Sequence, residues 1–410
     1  GGLESTLIRT ITGTLTINGD NADQDIFNVQ GVGSSFAAGL TVDGRGATTD
    51  EIHLQTGAGL ALAAGKNLSL TAETIDQTGP VTVSGLTTLN NQGSGTAINL
   101  SNAGNNFGTV VITATAANVS LTDAGGIDLG NCTVGGNLVI SASGPIADSG
   151  SLSVTGNASF SGTTITLGNH VGTTNFGSLS ATGTNVTIAE DSQMNLNLVS
   201  AAGGTVTLSS TGAIIDNNGG LNNILATSAA LTASGGIGST NALETQVTNL
   251  AFRNTSGDNV QIVNSGALVI NAVGTLLTSS SAGGVTVTAS SPVTYAVNTT
   301  AAGTITANAT EAAGAGDDVT VNAGVTVRST GGDVVFNAGD NIVITGAPSV
   351  ATVQSDTGNV TLNSGVGDTD DIGLQTLDGT VRADGGTVTI NLNAEAGLAS
   401  QAMKAFGLSI

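Results

Sequence analysis

Gly204-Thr205-Val206-Thr207-Leu208 alternates polar and apolar residues with a period of two. In an extended chain successive side chains point to opposite faces, so Val206 and Leu208 share one face and Thr205 and Thr207 the other. Val and Thr are β-branched and suit a pleated, half-buried surface. The phrase returns as Asn118-Val119-Ser120-Leu121, Gly284-Val285-Thr286-Val287, Asn359-Val360-Thr361-Leu362 and Gly386-Thr387-Val388-Thr389-Ile390. Each copy reads as a strand of about four residues bounded by Gly, Asn or Ser, which favour turns. A chain that repeats one short strand this often predicts an elongated stack. A stack supplies a scaffold or a binding surface more readily than a catalytic centre.

A longer period is superimposed on the short one. Asn105-Asn106-Phe107-Gly108 returns as Thr174-Asn175-Phe176-Gly177, and Val81-Thr82-Val83-Ser84-Gly85 returns as Leu152-Ser153-Val154-Thr155-Gly156. Asn118-Val119-Ser120-Leu121 returns as Asn185-Val186-Thr187-Ile188, and Pro145-Ile146-Ala147-Asp148 has a counterpart in Ala213-Ile214-Ile215-Asp216. The markers share a period of about 70 residues, which three turns of about 23 would produce. Propeller blades carry longer strands and aromatic signatures, whereas this chain has Phe 8, Tyr 1 and Trp 0. Helical repeats need apolar residues at helical spacing, and the repeated phrases alternate with period two instead. The sequence therefore predicts an all-β fold: a right-handed parallel β-helix, or solenoid, forming a single elongated rod. Some 18 turns, each rising about 4.8 Å, would make a rod of roughly 85–90 Å.

Composition agrees. Of 410 residues only 9% are charged, against about 25% in an ordinary soluble domain. Gly numbers 61 and Pro only 4, which fits neither collagen nor a disordered chain. Lys and Arg total 7 against 29 Asp and Glu, a formal net charge of −22. That balance argues against nucleic acid as a partner, because phosphate binding needs a basic face. It argues equally against docking on anionic lipid. No run approaches the roughly 18 apolar residues of a membrane span. Cys132 is the single cysteine, and its strand-like setting predicts a small buried hydrophobe. The chain begins at Gly1 without an initiator Met, which is read as a processed form or a segment of a longer protein.

Four zones follow from the composition. Residues 1–57 form an N-terminal β segment, either first turns or a cap. Residues 58–300 carry the long repeat and few acids. Residues 301–393 have shorter repeats and more acids, as in Asp317-Asp318-Val319-Thr320-Val321. In 394–410, Ala399, Ala402, Met403 and Phe406 fall at helical spacing, which predicts either a capping helix or a linker.

Asn106-Phe107-Gly108, Asn118-Val119-Ser120-Leu121-Thr122-Asp123, Gly126-Ile127-Asp128-Leu129 and Gly136-Asn137-Leu138-Val139-Ile140 run on through Ile146-Ala147-Asp148-Ser149-Gly150 to Leu152-Ser153-Val154-Thr155-Gly156. This text resembles the large repetitive bacterial surface proteins of the filamentous-haemagglutinin type, also described as β-strand-repeat adhesins. The resemblance covers roughly residues 60–290 well and the flanks loosely. It implies an extracellular or cell-surface location and a role in adhesion, biofilm or surface architecture. The implied partners are other copies of the chain or neighbouring surface proteins, end to end, and host or environmental glycans. The Asn-Pro-Asn signatures of that family's secretion domain are absent from this sequence.

Some parallel β-helices cleave polysaccharides, and that chemistry needs convergent carboxylates. The pairs Glu190-Asp191, Asp317-Asp318 and Asp370-Asp371 are adjacent, and adjacent strand residues face opposite ways. Carboxylates that cleave a glycoside must face each other across roughly 5–10 Å. His53 and His170 are far apart in sequence, no cluster has zinc spacing, and no Gly-x-Ser-x-Gly elbow supports a Ser–His–Asp triad. The reading is a non-enzyme without cofactor. The one metal expectation is structural calcium, a hard cation that takes carboxylate and carbonyl oxygens. Its candidate ligands are Asp20, Asp23 and Asp25, Asp317 and Asp318, and Asp368, Asp370 and Asp371. The bland alternative places these acids in solvated corner loops. A head-to-tail filament subunit and a glycan-binding or glycan-cleaving β-helix are the alternative functional readings.

Overall fold

The computed structural model describes residues 11–393 apart from 22, 34–35, 47–48, 56, 58, 94–96, 171, 313–315 and 368–372, together with the strand Met403–Ala405. The chain is an all-β parallel β-solenoid of about 15 turns, with no helix among the described residues. It divides into two compact units, Gly1–Gly183 and Thr184–Ile410. The boundary falls inside the 58–300 segment that the long repeat marks. The turns are fewer than a constant 23-residue turn predicts because several are longer than that. The corner bond from Asn137 to Asn118 spans 19 residues, and that from Leu374 to Asn341 spans 33.

In the first unit, inward residues stack into columns. Val42, Leu70, Leu89, Ile112, Cys132 and Leu152 occupy successive turns in register, and all are buried. Cys132 is the buried hydrophobe its setting predicts; burial pushes its thiol pKa up to about 12. Burying a Val or Leu side chain contributes roughly 1.5–3 kcal/mol, and the column repeats that gain in every turn.

The long repeat does not coincide with a whole number of turns. Three register steps from Leu89 reach Leu152. The sequence counterpart of Leu152, however, is Val81, which lies at the start of the same strand, Val81–Asn91. Val81 pairs with Leu60 in a different column. The repeat therefore advances three turns plus one strand segment, and equivalent phrases land on successive faces of the solenoid.

The Asn-Phe-Gly marker records a bend. Gly108 sits at a register shift between Phe107 and Thr109, and a Cβ there would lie 2.9 Å from the Ser84 carbonyl oxygen. At Gly177 a Cβ would collide with the Thr155 carbonyl oxygen. The marker phenylalanines are buried, and Phe176 packs against Phe160 with ring centroids 5.5 Å apart. Glycine lets the backbones of adjacent turns approach where the strand changes direction.

In the second unit the later turns each contribute three strands. Their first strands begin at Val260, Val285, Ile305, Val334 and Val360, in parallel register, and Val388–Leu392 extends the same column. Val206 and Leu208 are buried, and Thr205 and Thr207 are partly exposed, as the alternation requires. Tyr295 stacks on Phe336 inside this core at a 5.7 Å centroid distance. Met403–Ala405 is a strand, not a helical turn. It pairs with Gln375–Leu377, whose edge offers backbone groups that a helix would leave unpaired. Ala399, Ala402 and Phe406 lie outside the described residues.

Corner asparagines explain the residue that precedes each apolar strand. Asn118 Oδ1 accepts the Asn137 N–H at 2.7 Å, and Asn137 Oδ1 accepts the Asn157 N–H at 2.9 Å. In the second unit Asn185 accepts from Thr205 and Asn359 from Thr387, each at 2.9 Å. Each side chain reaches the next turn and satisfies a corner N–H that strand pairing leaves over.

Gly177→Ala should destabilise the first unit by about 1–3 kcal/mol, the usual cost of overpacking. Gly13→Ala, where a Cβ meets nothing within 4 Å, should leave the melting temperature unchanged. Equal melts for the two variants would contradict the close approach.

Candidate functional site

Of the calcium candidates, Asp20, Asp25, Asp317 and Asp318 accept hydrogen bonds from backbone N–H groups, and Asp23 donates one through its own N–H. Asp25 Oδ2 accepts the Asp20 N–H at 2.8 Å, and Asp20 Oδ1 accepts the Asp23 N–H at 3.1 Å. The Asp25 N–H donates to Asp50 Oδ1 at 2.9 Å, and the Asp50 N–H donates to Glu73 Oε2 at 2.7 Å. Asp50 and Glu73 are buried. The sequence reading missed them, although they stand at the same corner as Asp25, one and two turns along. Asp317 is buried and accepts the Ala312 N–H at 2.7 Å, while its own N–H donates to Asp340 at 3.0 Å. Asp318 points the other way and accepts from Asn341 at 2.9 Å. Asp368, Asp370 and Asp371 lie outside the described residues. Among the described residues no group of three or more His, Cys, Asp or Glu side chains is arranged to hold a metal ion.

Other acids follow the same logic. Asp123 ends the strand Asn118–Asp123 and accepts N–H groups from Phe107 at 2.6 Å and Gly125 at 2.7 Å. Burial raises its pKa, against the pull of those two donors. Burial likewise raises that of Asp148, which accepts from the Gly168 N–H at 3.0 Å and lies 3.0 Å from His170 Nδ1. That His170 approach lacks hydrogen-bond alignment, and Nε2 is buried without a hydrogen-bond partner. The pair thus presents no base to a substrate in solvent. His53 is different. Its Nδ1 lies 2.7 Å from Asp76 and its Nε2 2.9 Å from Glu51. The Asp76 bond raises its pKa above the ordinary 6.5, and Glu51 adds to that against the opposing effect of burial.

Two surface features remain. The outward amides of Asn308, Asn337, Asn363 and Asn391 form a ladder, each Nδ2 donating to the preceding Oδ1 at 2.7–2.8 Å. Asn308 Nδ2 closes it on the Thr288 hydroxyl at 3.0 Å. A signal for it was present in sequence: Asn308, Asn337, Asn363 and Asn391 each stand fourth in their strand. The second feature is a groove of about 520 Å³ in the second unit, bordered by Ser200, Leu225, Thr227, Gln246, Thr248 and Ser265. A similar groove in the first unit is lined by Leu86, Thr109 and Asp128. No sequence signal marks the grooves, since they arise where adjacent strands slip register.

The family described as Repeats of unknown function (DUF5649) matches residues 47–114 and 116–182. These two consecutive copies, both in the first unit, are the period of about 70 residues. No curated protein matches the chain, and no solved structure does. Fold and match together define a β-solenoid repeat protein.

His53 yields a pH prediction. A raised folded-state pKa means that its stabilisation is fully present below pH 6.5 and is lost as pH rises through the higher folded value. The melting temperature of the first unit should fall across that interval, and His53→Gln should flatten the fall. An identical pH profile in the variant would remove His53 as the cause.

Proposed function

We propose that this chain is a structural and adhesive segment of an extracellular bacterial surface protein. It acts as a stiff spacer whose outward strands present a contact surface. The observation that carries the reading is the repetition of the same devices from turn to turn: apolar columns inside, corner asparagines between turns, and neutral hydroxyl and amide groups outside. Such a stack is quasi-one-dimensional, and each added turn extends reach without needing a new core. The net charge of −22 supports solubility and self-repulsion in an exposed protein. Resemblance to haemagglutinin-type repeats supports the location, and the family match adds repetition without adding a role.

The test is antibody labelling of intact source cells, with attachment of a deletion strain measured beside it. The proposal expects labelling without permeabilisation and reduced attachment after deletion. Labelling that appears only in permeabilised cells would contradict it.

A further inference from the structure

The groove in the second unit is built by a slip between strands. Pairing of Met194–Ser210 with Ile224–Ala233 shifts register between Ala201 and Thr205. The intervening residues bow outward, with Gly203 at φ 79° in open space. Bulges of this kind commonly re-aim side chains at binding sites.

Its lining is ordered along the stack. Ser200 registers with Leu225, and Leu225 with Gln246. Thr227 and Thr248 stand on the same border, and Leu225, Ala226 and Ala267 contribute apolar surface beside them. Thr227, Gln246 and Thr248 are exposed. Among the described residues their side chains make no hydrogen bond within the protein. No charged residue lines the groove, although the chain carries a net charge of −22.

We propose that this groove binds an uncharged saccharide chain lying along the stack of turns, an inference that rests on the adhesive reading above. A sugar ring has an apolar C–H face and hydroxyl edges. Leu225, Ala226 and Ala267 match the face. The Thr227, Thr248 and Ser200 hydroxyls and the Gln246 amide supply donors and acceptors for the edges. Their spacing follows the turns, about 4.8 Å apart, so a polymer with repeating hydroxyls can engage several turns at once. The acidity of the chain selects against uronates and other anionic sugars.

The experiment is calorimetric titration of the full chain with neutral hexasaccharides of β-1,4-glucose and of β-1,4-N-acetylglucosamine, with hexagalacturonate as the anionic control. At least one neutral probe should bind and the anionic one should not. Gln246→Ala should weaken binding roughly tenfold, the worth of one or two hydrogen bonds. Thr227→Arg, at an exposed position, should block the groove without lowering the melting temperature. Binding that survives Thr227→Arg, preference for the anionic probe, or no binding to either neutral probe would overturn the inference. If neutral probes fail while intact cells are labelled and attachment depends on the chain, only the groove assignment falls.

Discussion

Each turn of this chain closes only if the N–H groups at its corners find oxygen in a neighbouring turn. Along the strands that requirement is met by parallel pairing. At the corners the backbone changes direction and the pairing lapses. At the exposed asparagine corners a lost acceptor costs about one ordinary hydrogen bond, roughly 0.5–1.5 kcal/mol, whereas at the buried carboxylate corners an unpaired N–H costs roughly 1–3 kcal/mol. Asn118, Asn137, Asn185 and Asn359 supply the acceptor from the turn before. Asp148 does the same with a carboxylate for the Gly168 N–H, whereas Asp123 and Asp340 accept from N–H groups earlier in the chain, those of Phe107 and Asp317.

This constraint gives the acidic composition a different meaning. Several acids act as corner acceptors, among them Asp25 and Asp317. Asp50 and Asp340 are fully buried, and Asp123 and Asp148 nearly so. Among the described residues Arg328–Asp356 and Arg382–Asp384 are the ion pairs formed by arginine. Backbone N–H groups therefore carry most of the compensation for buried carboxylates. Burial raises the Asp123 and Asp148 pKa values all the same, which shows that desolvation outweighs the donors at those corners.

Strand content and the direction of each side chain were legible in the sequence because period-two alternation maps directly onto the pleat. Val206 and Leu208 face inward and Cys132 is buried, as their settings predict. The inequality of turns was not legible, because a corner loop can absorb many residues without altering strand register. Nor was the phase of the long repeat. Val81 and Leu152 look equivalent in sequence, yet Leu152 stacks on the column of Leu89. A repeat out of phase with the turn spreads each marker over successive faces, so it builds no single stripe. The asparagine ladder was visible in principle, since its members share one position in their strands. The grooves were not, since they depend on register slips between turns.

The central claim is in-register stacking of whole turns, and one distance tests it. Thr286, Thr306, Val335, Thr361 and Thr389 form an outward column over four steps in the second unit. Nitroxide labels on cysteines placed at Thr286 and Thr389 can be attached in the native background, because Cys132 is buried with its thiol pKa pushed up to about 12. Pulsed electron–electron resonance should give a narrow distribution centred near 19 Å, four inter-strand steps of about 4.8 Å. A broad distribution centred beyond about 30 Å, well outside four such steps, would contradict the stack.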